Sequence, residues 1–316
     1  MVFTNKSHKT PVASTAPTQS RPALSPGSSP TATPDTALLR FGATGTDNGQ
    51  FSGADSVAVD KAGRIYVADN KLRVQQFDDQ GHFLKLLKVP ASGRNYDRAR
   101  SIDKILVGDD GRLFVGVGGV IVVYEENWAA APRVIQVAPD YIADFVLRPD
   151  GSALAVAFDE RIETLLFLNK QGGITRRVRG FHTDALNASL SPLETAVASV
   201  RLAADSKGNI FSIYALGSLG SYSLNYNDED LSIARFSPQG KFIKAMAPTM
   251  DAVGLIVDAN DRLYVAVRDS VRAYDRDGHV TGDVKSARAI DAFTVGAAGE
   301  IYTVVDNVIA KYPPLR

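Results

Sequence analysis

A single unit returns six times along this chain: an alternating apolar strand, a tight turn closed by Gly or Asp, and a second strand of the Ile-Tyr-Val kind. The copies begin Val57-Ala-Val-Asp-Lys-Ala-Gly63-Arg-Ile-Tyr-Val67 and Ile105-Leu-Val-Gly-Asp-Asp-Gly111-Arg-Leu-Phe-Val115. They continue through Phe145 to Val156, Leu202 to Ser212, Leu255 to Val265 and Phe293 to Thr303. Their turn positions 63, 111, 151, 208, 261 and 299 lie 48, 40, 57, 53 and 38 residues apart. A period of two within each copy requires strands rather than helices, and a spacing of about 40 to 50 residues fits one small four-stranded sheet per repeat. Helical solenoids are disfavoured.

Second hairpin signals follow the turns, at Phe77-Asp-Asp-Gln-Gly81-His-Phe-Leu, Phe236-Ser-Pro-Gln-Gly240-Lys-Phe-Ile and Tyr274-Asp-Arg-Asp-Gly278-His-Val. Two hairpins make four strands. The last copy stops at Tyr312-Pro-Pro before a fourth strand, whereas Leu38-Leu-Arg-Phe-Gly42 precedes the first copy and matches the fourth strand Phe83-Leu-Lys-Leu-Leu87. The expectation is an all-β, six-bladed β-propeller of four-stranded antiparallel blades over 36–316, closed by an N-terminal strand that completes the last blade and removes an open sheet edge.

The first copy resembles the NHL family of six-bladed propellers through Phe41-Gly-Ala-Thr-Gly45, Gly49-Gln-Phe51, Val57-Ala-Val-Asp60, Gly63-Arg-Ile-Tyr-Val-Ala-Asp69, Arg73-Val and Phe77-Asp. Later copies drift: the second lacks the Asp that the first has at 69, and the fourth copy carries a long interruption. The resemblance implies the propeller over about residues 36 to 316. It does not fix an activity, because the scaffold hosts protein, glycan and nucleic-acid binders as well as lyases and lactone hydrolases.

Residues 1–35 contain six Ser, six Thr and six Pro. Such a segment buries little and reads as a disordered tail or linker, the kind of spacer that holds a domain off a wall or membrane. It has no apolar run of signal-peptide length, and no span of about 20 apolar residues follows. An extracytoplasmic or secreted protein whose leader is missing is the preferred expectation, with the cytoplasm as the alternative, and a monomer is expected. Lys plus Arg equals Asp plus Glu at 35 each, so no whole-molecule field attracts a polyanion and nucleic acid is disfavoured. The absence of cysteine removes disulfides, thiolate metal sites and a cysteine nucleophile.

Three insertions locate the elaborated surface, at 90–101, 180–198 and 214–230, all on the face where inner strands begin. They carry Arg94, Tyr96, Arg98 and Arg100, then Phe181, His182 and Asp184, then Tyr214, Tyr222, Tyr226 and the acidic run Asp228-Glu-Asp230. Tyr and Arg supply rigid amphipathic area and planar multidentate donors, so a protein, peptide or glycan ligand is expected over blades 2 to 4, on Arg94, Tyr96, Arg98, Arg100, His182, Tyr222 and Tyr226. The bland alternative is a surface excursion with incidental tyrosines.

Counting back from the turns brings Asp55, Asp103, Asp144 and Asp291 to the mouth of the central channel. Carboxylates from several blades suit Ca²⁺, which takes six to eight oxygens, or an ammonium or guanidinium group. Equally, each Asp caps its own local backbone. The binding reading requires no cofactor, and Ca²⁺ at the channel mouth is the one candidate ion.

Enzyme readings meet obstacles. The four histidines are at 8, 82, 182 and 279, so the multi-histidine zinc site of amidating lyases with this scaffold has no counterpart. A Ser-His-Asp triad depends on His182 alone, and no Gly-x-Ser-x-Gly elbow is present in a suitable context. Lactonases of six-bladed type hold a divalent cation with Glu, Asn and Asp, and the four aspartates are a partial analogue. A metal-dependent hydrolase, lactonase or lyase at the acidic mouth is therefore the alternative to a non-catalytic binder. Trp128 and Pro132 in the outer turn of the second copy read as a packing cap.

Overall fold

The computed structural model describes residues 36–90, 101–137, 141–159, 162–182, 196–217, 231–248 and 252–315. They form six four-stranded antiparallel sheets. In blade 1 the strands run Ala54–Val59, Ile65–Asp69, Arg73–Phe77 and Phe83–Lys88, from the innermost outward. The other inner strands are Lys104–Val107, Tyr141–Leu147, Ala196–Ala204, Ala252–Val257 and Ala292–Val295. In the sixth sheet Leu39–Phe41 takes the outer place, with Leu39 opposite Lys311 and Phe41 opposite Ile309.

Burial follows strand position, as alternating side chains between stacked sheets require. The second strands Ile65–Asp69, Leu113–Val117 and Leu263–Val267 are buried at every residue because each face meets a neighbouring blade. The outer strand Phe83–Lys88 alternates half-buried with exposed. The described core divides into six apolar clusters, one per interface between neighbouring blades. One of them joins Val57 and Val67 of blade 1 to Tyr302 and Val304 of blade 6. Trp128 sits against the cluster between blades 1 and 2, with its ring 6.1 Å from that of Tyr66 and Lys85 Nζ 4.0 Å above it.

The repeated turn has a simple cause. Gly63 has φ of 80°, in the left-handed region glycine enters without a Cβ penalty. Asp261 occupies that place in blade 5 with φ of 62°, and its carboxylate accepts bonds from Ser206 N at 2.7 Å and Ser206 Oγ at 2.8 Å. Three residues before the turn position, Asp60, Asp205 and Asp258 each accept two turn amides on one oxygen. That fixed geometry aligns the inner strands, all beginning on what we term the upper side and ending at the turns on the lower side.

Candidate functional site

The beginnings of all six inner strands open onto one basin of about 380 Å³, lined by residues from Asp55 and Asp103 through Tyr141 and Arg201 to Val253 and Asp291. Local irregularity makes this opening. Register slips at Ala54/Ser56, Ile142/Asp144 and Ala252/Gly254 leave one extra residue in each strand, and such bulges re-aim side chains. Tyr141 and Val253, each 42% exposed, supply apolar surface at the rim.

Three of the four predicted aspartates, Asp55, Asp103 and Asp291, are exposed and line the basin. Burial of its surroundings pushes the Asp55 carboxyl above the ordinary range, and the negative charges of Asp291 and Asp69 add to this. Burial also raises Asp103, partly offset by the Arg201 cation. Two carboxyls less willing to ionise than usual welcome a cation that would repay their desolvation. Asp291 Oδ2 also accepts from Asp306 N at 2.9 Å, so it combines a local cap with its place at the rim.

Asp144 also lines the basin but departs from the other three in exposure. Asp55, Asp103 and Asp291 stand eight residues before their turn positions, but Asp144 stands seven before Gly151, and the bulge residue at the matching place is Ala143. A shift of one residue sends a side chain to the other face of a strand. Asp144 is accordingly 3% exposed. It accepts Lys104 Nζ from blade 2 at 2.8 Å and Leu202 N from blade 4 at 2.7 Å, tying three inner strands together. Ser56 does the same one interface earlier, where its Oγ accepts Ile105 N at 3.0 Å.

His182 requires a correction. Expected on a ligand-facing loop, it is 0% exposed. Its preceding neighbour Phe181 belongs to the apolar cluster between blades 3 and 4, and the imidazole follows it in, 5.4 Å from the Phe236 ring. Nε2 lies 2.8 Å from Ser212 Oγ, and Glu163 Oε1 accepts the His182 amide at 3.1 Å and sits 3.8 Å from Nδ1. The set resembles an acyl-transfer constellation, but Ser212 and Glu163 are 0% and 2% exposed, so no substrate reaches the hydroxyl. Burial pushes the His182 pKa down to about 3, which keeps the ring neutral.

Arg94, Tyr96, Arg98, Arg100, Tyr222 and Tyr226 lie outside the described residues. The described strand ends that flank their segments lie on the basin side, because fourth-to-first and second-to-third connections share that side in such a blade. Among the described residues no three His, Cys, Asp or Glu side chains are grouped to hold a metal ion, and no helix is long and apolar enough to cross a membrane. Sequence reasoning passed over Tyr141, which the start of an apolar strand does not single out, and Lys104, whose role appears only once its partner Asp144 is placed.

No family model matches this chain, and no curated protein matches it. Among solved structures it is similar to hydrazine synthase of Kuenenia stuttgartiensis, with a TM-score of 0.59 and 12% identity over 83% of this chain and 84% of that one. At that identity the likeness speaks for the fold alone. The architecture is a six-bladed β-propeller. The NHL-like motifs of the first blade stand without a matching family model beside them.

Proposed function

We propose that this protein is a non-catalytic binding propeller that takes a protein, peptide or glycan ligand on its upper side. The observation that supports this most is the convergence of six inner-strand starts on one open basin in which Asp55 and Asp103 sit beside the rim surface of Tyr141 and Val253. Carboxylates partly removed from water and flanked by aromatic and aliphatic surface suit a ligand's ammonium or guanidinium group, such as a Lys or Arg side chain. Sealing of His182 away from solvent takes the general base of a serine-type hydrolase out of reach and favours binding over turnover. Arg94, Tyr96, Arg98, Arg100, Tyr222 and Tyr226 extend the contact surface in this reading, over blades 2 to 4. The molecule works as a monomer outside the cytoplasm, with residues 1–35 as its spacer.

The test is fluorescence anisotropy with a labelled tetralysine peptide, a neutral peptide of equal length and a neutral oligosaccharide. Binding of a probe that weakens at least tenfold in an Asp55→Asn, Asp103→Asn variant, or in an Arg94→Glu, Tyr96→Ala variant, upholds the reading. Failure of all three probes, or Ca²⁺-dependent ester or lactone hydrolysis lost in the Asp variant, overturns it and moves the basin to the hydrolase alternative.

A further inference from the structure

The opposite end of the channel holds a larger cavity, about 580 Å³, within the range of small-molecule pockets. Its floor comes from the last residues of the inner strands. Val59, Val107, Leu147, Ala204, Val257 and Val295 each stand four residues before their turn position, each half-buried, and Val107, Leu147, Ala204 and Val257 line the cavity. Six aliphatic side chains at one level of a ring make an apolar collar.

The next residue in each copy carries the argument. Blades 1, 4 and 5 have Asp60, Asp205 and Asp258, whose carboxylates cap the turn, whereas blades 2, 3 and 6 have Gly108, Arg148 and Gly296, and blade 6, which has Ala298 one residue before its turn position, has no replacement there. In blades 2 and 3 the capping task has moved: Asp110 accepts Arg112 N at 3.2 Å and Asp150 accepts Ser152 N at 2.9 Å. The first place is thereby freed of its carboxylate, with the relocated Asp110 carboxylate lying over Gly108 and a cation standing at Arg148. Departures from a local rule that are compensated nearby mark positions selected for something other than folding.

Four cations and four carboxylates line the cavity, and two of each are joined in ion pairs, while the Asp258 carboxylate caps its own turn. Lys61 pairs with Asp109 and Arg112 with Asp110, each at 2.8 Å. Arg148 and Lys170 are the lining cations outside a carboxylate ion pair among the described residues. Arg148 Nε donates to Ser152 Oγ at 2.7 Å, which orients the guanidinium and leaves its terminal nitrogens for another acceptor. The Asp150 carboxyl is held below its ordinary range first by the Ser152 hydroxyl, with Arg148 and Lys170 contributing, so its charge is committed locally.

We propose that this lower cavity is a second ligand site, distinct from the upper basin, that takes a small apolar carboxylate: its anionic head on the Arg148 guanidinium with Lys170 nearby, its hydrocarbon body against the Val107, Leu147, Ala204 and Val257 collar. Octanoate is the probe, with octylammonium as the charge control, each titrated into the full chain by isothermal calorimetry and proton NMR. Saturable octanoate binding with at least a tenfold preference over octylammonium is expected. Arg148→Asp installs the residue that three blades already use there, so the turn keeps a cap. That variant loses octanoate binding at least tenfold, Arg148→Lys retains part of it, and Gly108→Asp, which adds a carboxylate to the cavity wall, weakens it. Equal binding of the two probes, absence of saturation at millimolar octanoate, or an Arg148→Asp variant that is folded and binds octanoate normally overturns the proposal. An Asp55→Asn, Asp103→Asn variant binds octanoate unchanged, which separates failure here from failure of the upper site.

Discussion

The two ends of the channel are built from the same six strands and differ in chemistry. The upper end gathers Asp55, Asp103 and Asp291 around an acidic basin, while the lower end sets Arg148 over an aliphatic collar. Strand ends are interchangeable parts of a repeat, so their side chains are free to differ once the blades are fixed. What holds the blades is the wedge between them, and there the repeat is kept: small and branched apolar residues from two sheets fill each interface. Function in this molecule is therefore sought where equivalent positions diverge, and stability where they agree.

The strongest way to break the contrast is to remove the wedge itself. Phe145 is 1% exposed at the interface of blades 2 and 3, and Phe145→Ala should cost about 3–5 kcal/mol, weakening ligand binding at both ends alike. Urea denaturation measures the loss. A variant that keeps its midpoint, or one that loses one end only, contradicts a shared scaffold.

Acid provides the next largest effect. His182 has a folded-state pKa of about 3 against an ordinary 6.5, so the unfolded chain binds more protons between these values. Stability therefore falls as pH drops below 6.5, by up to ~1.4 kcal/mol per unit for this one group. Denaturation midpoints between pH 7 and pH 4.5 test it: His182→Gln should flatten the profile, and an unchanged slope would refute the assignment.

Asp144→Asn sharpens the upper side alone. It keeps the shape, removes the charge facing Lys104 and weakens the bond to Leu202 N, for a loss of about 2 kcal/mol after allowing for the partial exposure of Lys104. Binding in the upper basin should weaken and octanoate binding at the lower end should hold. Equal loss at both ends would show that Asp144 supports the ring rather than the mouth.

The smallest effect has the opposite sign. With its folded pKa raised, Asp103 contributes stability at acid pH that is lost as pH rises through the raised value. Asp103→Asn should therefore raise the thermal midpoint slightly at pH 7 while reducing cation binding, the trade expected of a site residue. A lowered midpoint would make Asp103 a structural cap.

The blades were legible because turn chemistry is local: Asp60 with Gly63, Asp205 with Gly208 and Asp258 with Asp261 each declare a turn within four residues. Convergence of Asp55, Asp103 and Asp291 followed from counting back eight residues from each turn position. Asp144 was expected within one residue of the shared place, but its burial was not legible, because a bulge is a three-dimensional choice that adds nothing recognisable to an apolar run. His182 was misread because hydrophilic character suggests a loop, whereas the neighbouring Phe181 draws the pair inward and Ser212, 30 residues on, supplies the hidden partner. The lower cavity left its mark in the repeat, as Gly108 and Arg148 in the places of Asp60 and Asp205. Its meaning required the relocated caps at Asp110 and Asp150 to be seen.

The most direct test of the account is a crossed pair of binding curves, tetralysine peptide and octanoate, on the Asp55→Asn, Asp103→Asn variant and on Arg148→Asp. The account predicts that the first variant loses only the peptide and the second only octanoate, each by at least tenfold. Loss of both ligands in either variant, or of neither in both, would contradict two chemically independent ends on one ring.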